Sequence, residues 1–300
     1  MSLVRLLSPF RSRRGIRFQI MSDLHLEVCQ QYANFHITPR ADRLILAGDI
    51  GRLKDYEALR DFLCLQCKQF IEVYLVLGNH EFFGVSREEG LRLADMLQQE
   101  PGLKDKLIVM NQKRVDLQDV TLLGCTLHSH IPSKDVEFVG HKINDFRCIL
   151  DWTVAKHVTE HVNDVKWLTD EITSIRETES TAKRKIVVIS HHAPSTKGTS
   201  EPSDEGSPLS SAFGTDLLDG DQKTCLSDVQ WWIFGHTHYS TDLLCGKVKL
   251  VSNQRGYLFP NMDMNRSGTA EKHFVSKVLK FRIQRGQKQA AFDPERVIEV

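Results

Sequence analysis

Short apolar runs recur along this chain, and five of them close on a polar turn. IRFQIM (16–21) leads into SDLHLE, RLILA (43–47) into GDIG, and EVYLVL (72–77) into GNHEFF. After a long interval KIVVIS (185–190) leads into HHAPS, and VQWWIF (229–234) into GHTHYS. Runs of this length and composition predict strands buried on both faces. Between them the period changes. Tyr56, Leu59, Phe62, Leu63, Gln66 and Phe70 fall at helical spacing and five of the six are apolar, which predicts a helix over 54–70. A second helix is expected over 86–98, closed by Pro101 and Gly102.

Strand and helix therefore alternate through the first hundred residues, the pattern of a βαβ sheet with covered faces. Further on, 106–110, 120–125 and 247–253 read as strands, and 128–149 is mixed and polar. A helix over 151–168 would place Ala155, Val158, Val162 and Val165 on its inner face, and 170–184 reads as exposed. The Ser, Gly and Pro-rich stretch 195–211 reads as a loop, either a surface excursion or, given its place after a histidine turn, a flap over a site. The division expected is a basic arm over 1–15, one domain over 16–275 and a polar tail over 276–300, with VSKVLKFRI a weak strand at its start.

Parallel strands bring their carboxyl ends to one edge, where ligands usually bind. The five polar turns would then meet: D-x-H at 23–25, GD at 48–49, GNH at 78–80, HH at 191–192 and GHTH at 235–238. Glycine turns in which Asp and Asn satisfy backbone donors explain one or two of these, but not histidine at four strand ends. Carboxylate, carboxamide and imidazole donors suit Mn, Fe or Zn. If the backbone is extended at D-x-H and H-x-H, both outer side chains face one way. The donors are more than one tetrahedral ion uses, and two ions sharing a carboxylate would use them well.

Composition narrows the rest. Lys plus Arg equals Asp plus Glu at 39 each, so no net charge draws the chain to nucleic acid or an anionic membrane. The tryptophans read as packing residues and no basic, aromatic-laced stripe appears, so no stable nucleic-acid partner is expected. No apolar stretch reaches the roughly 20 residues that cross a bilayer, so no membrane association is expected. Seven scattered cysteines do not make a disulfide framework, and the single CxxC at 64–67 falls inside a helix, where packing explains it better than redox chemistry. A cytoplasmic, reduced setting is expected. The arginines at 5, 11, 13 and 14 make the start a basic arm, with a mitochondrial presequence as the alternative.

DLH, GD, GNHE, the first histidine of SHH and GHTH, in that order across 23–238, resemble the calcineurin-like metallophosphoesterase superfamily. The resemblance implies an α/β fold: a four-layer αββα sandwich of two mixed β-sheets flanked by helices. It also implies two divalent or mixed-valence metal ions (Mn, Fe or Zn). Asp23, His25 and His238 would bind one, Asn79, His191 and His236 the other, and Asp49 would bridge both, with a metal-bridging hydroxide as nucleophile. His80 would stay off the metals and face the leaving group. Glu81 or a distant Asp would orient His80. Arg147, His192 and Lys197 are the candidate substrate contacts. Arg52 does not sit in the GDxxDRG arrangement of protein serine/threonine phosphatases, which points away from them. A small or medium phosphodiester, a nucleotide among them, is the expected substrate. A phosphomonoesterase is the alternative, and a metal-free protein-binding scaffold the alternative of another class. Sequence leaves the oligomeric state open.

Overall fold

The computed structural model describes residues 15–178, 184–218, 225–259 and 292–300. The arm and the segment VSKVLKFRI lie outside the described residues. The first sheet carries β1 (Arg17–Met21), β2 (Arg43–Ala47), β3 (Glu72–Val76) and β4 (Leu107–Val109), mutually parallel in that order. The second sheet begins with β5 (Lys113–Leu117), antiparallel to β6 (Val120–Cys125). Next come β7 (Lys185–Ser190), β8 (Trp231–Phe234) and β10 (Val248–Ser252), parallel to β6, and the edge strand β9 (Asp242–Cys245). The end of the chain supplies β11 (Val297–Glu299), antiparallel to β1 at the edge of the first sheet. Sequence reading missed the partly exposed β5 and β9, which lack a continuous apolar run.

Alternation along the strands builds the layers. Phe18, Ile20, Ile45, Tyr74 and Val76 turn inward to meet Val120, Leu122, Val187, Ile189 and Ile233 between the sheets. Leu44, Leu46, Val73 and Leu75 point the other way, onto Leu59, Phe62 and Leu63 of α1 (Tyr56–Gln69) and Ala94 and Leu97 of α2 (Arg87–Gln99). The Ser86 hydroxyl caps α2 by accepting from Glu89 N–H at 3.2 Å. On the far side Leu123, Val188, Trp232 and Leu250 pack on Leu168, Ile172 and Ile175 of α5 (Val154–Thr178). The result is the expected α/β sandwich, with helices on both outer faces of two mixed sheets. Two short helices, α3 (Val136–Lys142) and α4 (Asp145–Cys148), occupy the mixed stretch before α5.

The α5 helix corrects two expectations. It runs ten residues past 168, and its buried line is His157, His161, Asp164, Leu168, Ile172 and Ile175. Val162, expected inward, is exposed. Three polar residues open the inward line, so the apolar count favoured the wrong face. Ile172 and Ile175, at helical spacing from Leu168, are fully buried within a stretch that reads as polar. At 64–67 Cys67 is buried in α1, and burial pushes its thiol up to about 12, the reverse of a reactive thiolate.

Candidate metal centre

The turns after β1, β2, β3, β7 and β8 meet at one edge shared by both sheets. Their backbone is not extended. Asp23, His25, Asp49, His236 and His238 all have positive φ, between 48° and 72°. In D-x-H and H-x-H both outer side chains converge because each sits in a left-handed turn, not because a strand alternates. Such conformations cost about 1–2 kcal/mol per non-glycine residue, and strain of this kind clusters at functional sites. Adjacent glycines give room. A Cβ on Gly78 would come within 2.3 Å of Asp49 Oδ1, and one on Gly48, itself at φ +89°, within 2.3 Å of His191 Nδ1.

Asp49 lies between two donor groups that share it: Asp23, His25, Asp49 and His238, and Asp49, His191 and His236. Its Oδ1 is 3.3 Å from His191 Nε2, and its Oδ2 is 3.9 Å from His25 Nε2. His25 Nε2 and His238 Nε2 approach to 2.9 Å, and His238 Nε2 lies 3.5 Å from Asp23 Oδ1. On the other side Asn79 Oδ1 and His236 Nδ1 lie 3.0 and 3.1 Å from His191 Nε2. His191 Nδ1–H donates to Ala47 O at 3.0 Å, which aims Nε2 into the site. All of these residues except His238 are buried.

The electrostatics call for positive charge here. Burial pushes Asp23 up to about 6, whereas at Asp49 the His191 and His80 rings outweigh burial and hold the carboxyl well below its usual range. Burial would lower His191, yet Asp49 and Asp23 raise it to about 10. His236 goes the other way: burial and the neighbouring His191 ring keep it neutral, with a lone pair available. Two buried carboxylates, a carboxamide oxygen and imidazole nitrogens crowded within hydrogen-bond range fit divalent cations on either side of Asp49.

The surroundings of His80 were misread from sequence. Glu81 does not touch its ring. The Glu81 carboxylate instead accepts from the backbone N–H of Asp49 (2.9 Å), Ile50 (2.8 Å), Gly51 (3.3 Å) and Gly78 (2.7 Å). Burial and Asp49 push Glu81 up to about 7, while its four donors favour the ionised form. The partner of His80 is Glu27, whose Oε1 lies 2.8 Å from His80 Nδ1 and 3.3 Å from His25 Nδ1. Burial alone would raise Glu27, but the hydrogen bonds to these two rings hold it at about 2. The opposing carboxylates of Asp49 and Glu27 raise His80 to about 9 against burial. Glu27 was legible as the next alternate position in D-x-H-x-E. Tyr257, whose hydroxyl meets His80 Nε2 at 2.9 Å, carried no sequence signal.

The candidate substrate contacts differ in their surroundings. Arg147 is exposed and donates to His141 O and Asn144 Oδ1. Its neighbour Asp145 accepts from Asn79 Nδ2 at 2.8 Å and so orients the Asn79 oxygen. Lys197 is exposed, on a loop whose next residue, Gly198, is tied to Thr241. His192 is fully buried and faces His128 and His157. Of the loop expected as a flap, Ser195 and Thr199 are buried, and just beyond it Phe213 lies against the His236 ring at 5.0 Å. Asn253 steadies the turn after β1 by donating to Ile20 O and accepting from Asp293 N–H.

Comparisons with known proteins agree with this architecture. An uncharacterized protein, L509, of Acanthamoeba polyphaga mimivirus is 26% identical over 235 residues, covering 74% of this chain and 81% of that one. The phosphopantetheinyl hydrolase of Mycobacterium tuberculosis superposes with a TM-score of 0.59 at 16% identity, over 86% of this chain and 95% of that one. A dimetal phosphatase from Danio rerio aligns at 13% identity and a TM-score of 0.46, over 80% and 87%. The calcineurin-like phosphoesterase profile matches residues 16–240. The chain belongs to the calcineurin-like phosphoesterase family, whose members are metal-dependent hydrolases of phosphoesters.

Proposed function

We propose that this protein is a dinuclear metal-dependent phosphodiesterase acting on a small or medium diester such as a nucleotide. The observation that carries the reading is Asp49, whose two carboxylate oxygens face different donor groups. Asp23, His25 and His238 would hold one ion and Asn79, His191 and His236 the other, with Asp49 between them. Ions held there would supply Lewis acidity to the phosphoryl oxygens and acidify a water for in-line attack. Mn, Fe and Zn all suit the donors.

The chain's own residues do the rest. Glu27 fixes the His80 ring through Nδ1, which leaves Nε2 to the Tyr257 hydroxyl. The Tyr257 hydroxyl, 2.9 Å from Nε2, marks a position that a leaving-group oxygen can take. From there His80 stabilises charge developing on that oxygen and donates a proton to it. Charge count favours a diester. Arg52 pairs with Asp55, Arg147 with the end of α3, and Arg255 with Leu24 O and Gln31 Oε1. Of the three, Arg52 is neutralised by a carboxylate and so is not left for the second negative charge of a monoester, whereas Arg147 and Arg255 meet uncharged oxygens.

The test compares bis-p-nitrophenyl phosphate with p-nitrophenyl phosphate, using metal-stripped protein reloaded with Mn²⁺. A faster, metal-dependent diester rate is expected. A monoester preference would replace this reading with a phosphatase.

A further inference from the structure

The turn after β6 shares the signature of three of the five turns at the centre, those after β1, β2 and β8. Leu127 and His128 have φ of 71° and 47°, again left-handed without glycine. The polar start of the buried line on α5 holds this turn in place. Asp164 Oδ2 accepts from Leu127 N–H at 2.8 Å, and His161 Nδ1–H donates to Leu127 O at 3.0 Å. His157 Nε2 lies 2.9 Å from the Ser129 hydroxyl and 3.1 Å from Ser129 N. What the turn presents is His128, 2% exposed, to His157 at 1% and His192 at 0%. The three ring centroids form a triangle with sides of 4.9, 5.4 and 5.5 Å.

One ligand-type atom from each ring lies within 4.8 Å of the others, and the group includes no residue of the Asp49 centre. Both ring nitrogens of His128, both of His192 and Nδ1 of His157 have no hydrogen-bond partner. Buried polar atoms are nearly always satisfied, so three rings that each bring one nitrogen to the same place, with five of their nitrogens unpartnered, call for an ion or water. We infer that His128, His157 and His192 form a further metal site, a tris-imidazole pocket for one divalent ion of the zinc class.

Burial and neighbouring rings keep His128 and His157 neutral, His157 at about 3. Ser129 N–H donates to His157 Nε2 at 3.1 Å, which puts the ring's proton on Nδ1; to ligate through Nδ1 the ring must shift that proton to Nε2, where the Ser129 hydroxyl at 2.9 Å can accept it. Three imidazoles without carboxylate or thiolate suit Zn²⁺, Co²⁺, Ni²⁺ or Cu²⁺ and leave a fourth position open to a water or hydroxide. The HH pair of the sequence thus divides. His191 serves the Asp49 centre and His192 the pocket behind it, with the His192 ring 4.1 Å from that of His236.

The test is metal content of the full chain, stripped by chelator and reloaded with Zn²⁺, with the visible spectrum of the Co²⁺ form as second readout. Wild type, His128→Asn and Asp49→Asn are compared. Asparagine tolerates the left-handed backbone at both positions. His128→Asn should lose one equivalent and one set of tetrahedral Co²⁺ bands while the Asp49 centre keeps its metal. Asp49→Asn should lose metal but keep the equivalent that depends on His128. Should His128→Asn not fold by circular dichroism, His192→Phe makes the same comparison. Equal metal content in wild type and a folded pocket variant would overturn the proposal and leave ordered water as the filling. A loss confined to the pocket variant, with none in Asp49→Asn, would sustain this site and overturn the two-ion reading.

Discussion

Replacing Glu81 with glutamine keeps the volume of the side chain and removes half of its accepting capacity. The carboxylate receives four backbone N–H groups, two on each oxygen, and is fully buried. An amide has one oxygen, and its nitrogen turns two hydrogens toward the other pair of donors. At least two backbone N–H groups are then left facing donors. Each unpaired buried group costs about 1–3 kcal/mol, so the loss should be about 2–6 kcal/mol. Against a typical total of about 5–15 kcal/mol this is large. Urea unfolding followed by tryptophan fluorescence measures it as a fall in midpoint at constant slope. Because Asp49 N–H and Gly78 N–H are among the four, turnover by the folded variant should fall as well. A change under about 1 kcal/mol would refute the reasoning, since it would mean that these donors find water as readily as the carboxylate.

Glu27→Gln keeps an acceptor for His80 Nδ1 but removes the charge that orients His80 and His25. Turnover of the Mn²⁺-loaded protein should fall about 10- to 100-fold with little change in unfolding midpoint. Ile172→Ala opens a cavity where α5 meets the second sheet and should cost about 2–5 kcal/mol in a denaturant titration. A cost near zero would mean that α5 is not packed there.

Much of the fold was legible because the central strands are buried on both faces, which writes them as unbroken apolar runs such as KIVVIS. Edge strands β5 and β9 have no such run, and β11 sits in a polar end that pairs only across the whole chain length. The metal-ligand candidates were legible because each is anchored to the end of a strong strand. Groups that act through them were not. Asp145 reaches Asn79 across 66 residues and Tyr257 reaches His80 across 177, distances at which spacing holds no information. Glu81 was misassigned because adjacency in GNHE suggested a side-chain pair, whereas the tight turn aims it at backbone. On α5 the inward His157, His161 and Asp164, which bond the turn after β6, masked the buried face and the periodicity that reveals a helix.

The central claim is that Asp49 joins two ions in one hydrolytic centre, and Asp49→Asn tests it most directly. The substitution preserves size and backbone tolerance but leaves one oxygen where two are needed. Turnover of bis-p-nitrophenyl phosphate by the Mn²⁺-loaded variant is the measurement, with circular dichroism to confirm the fold. The account expects a loss of at least about 100-fold, on the order of the loss of one preorganised electrostatic contact to the reacting group. Turnover equal to wild type would contradict it.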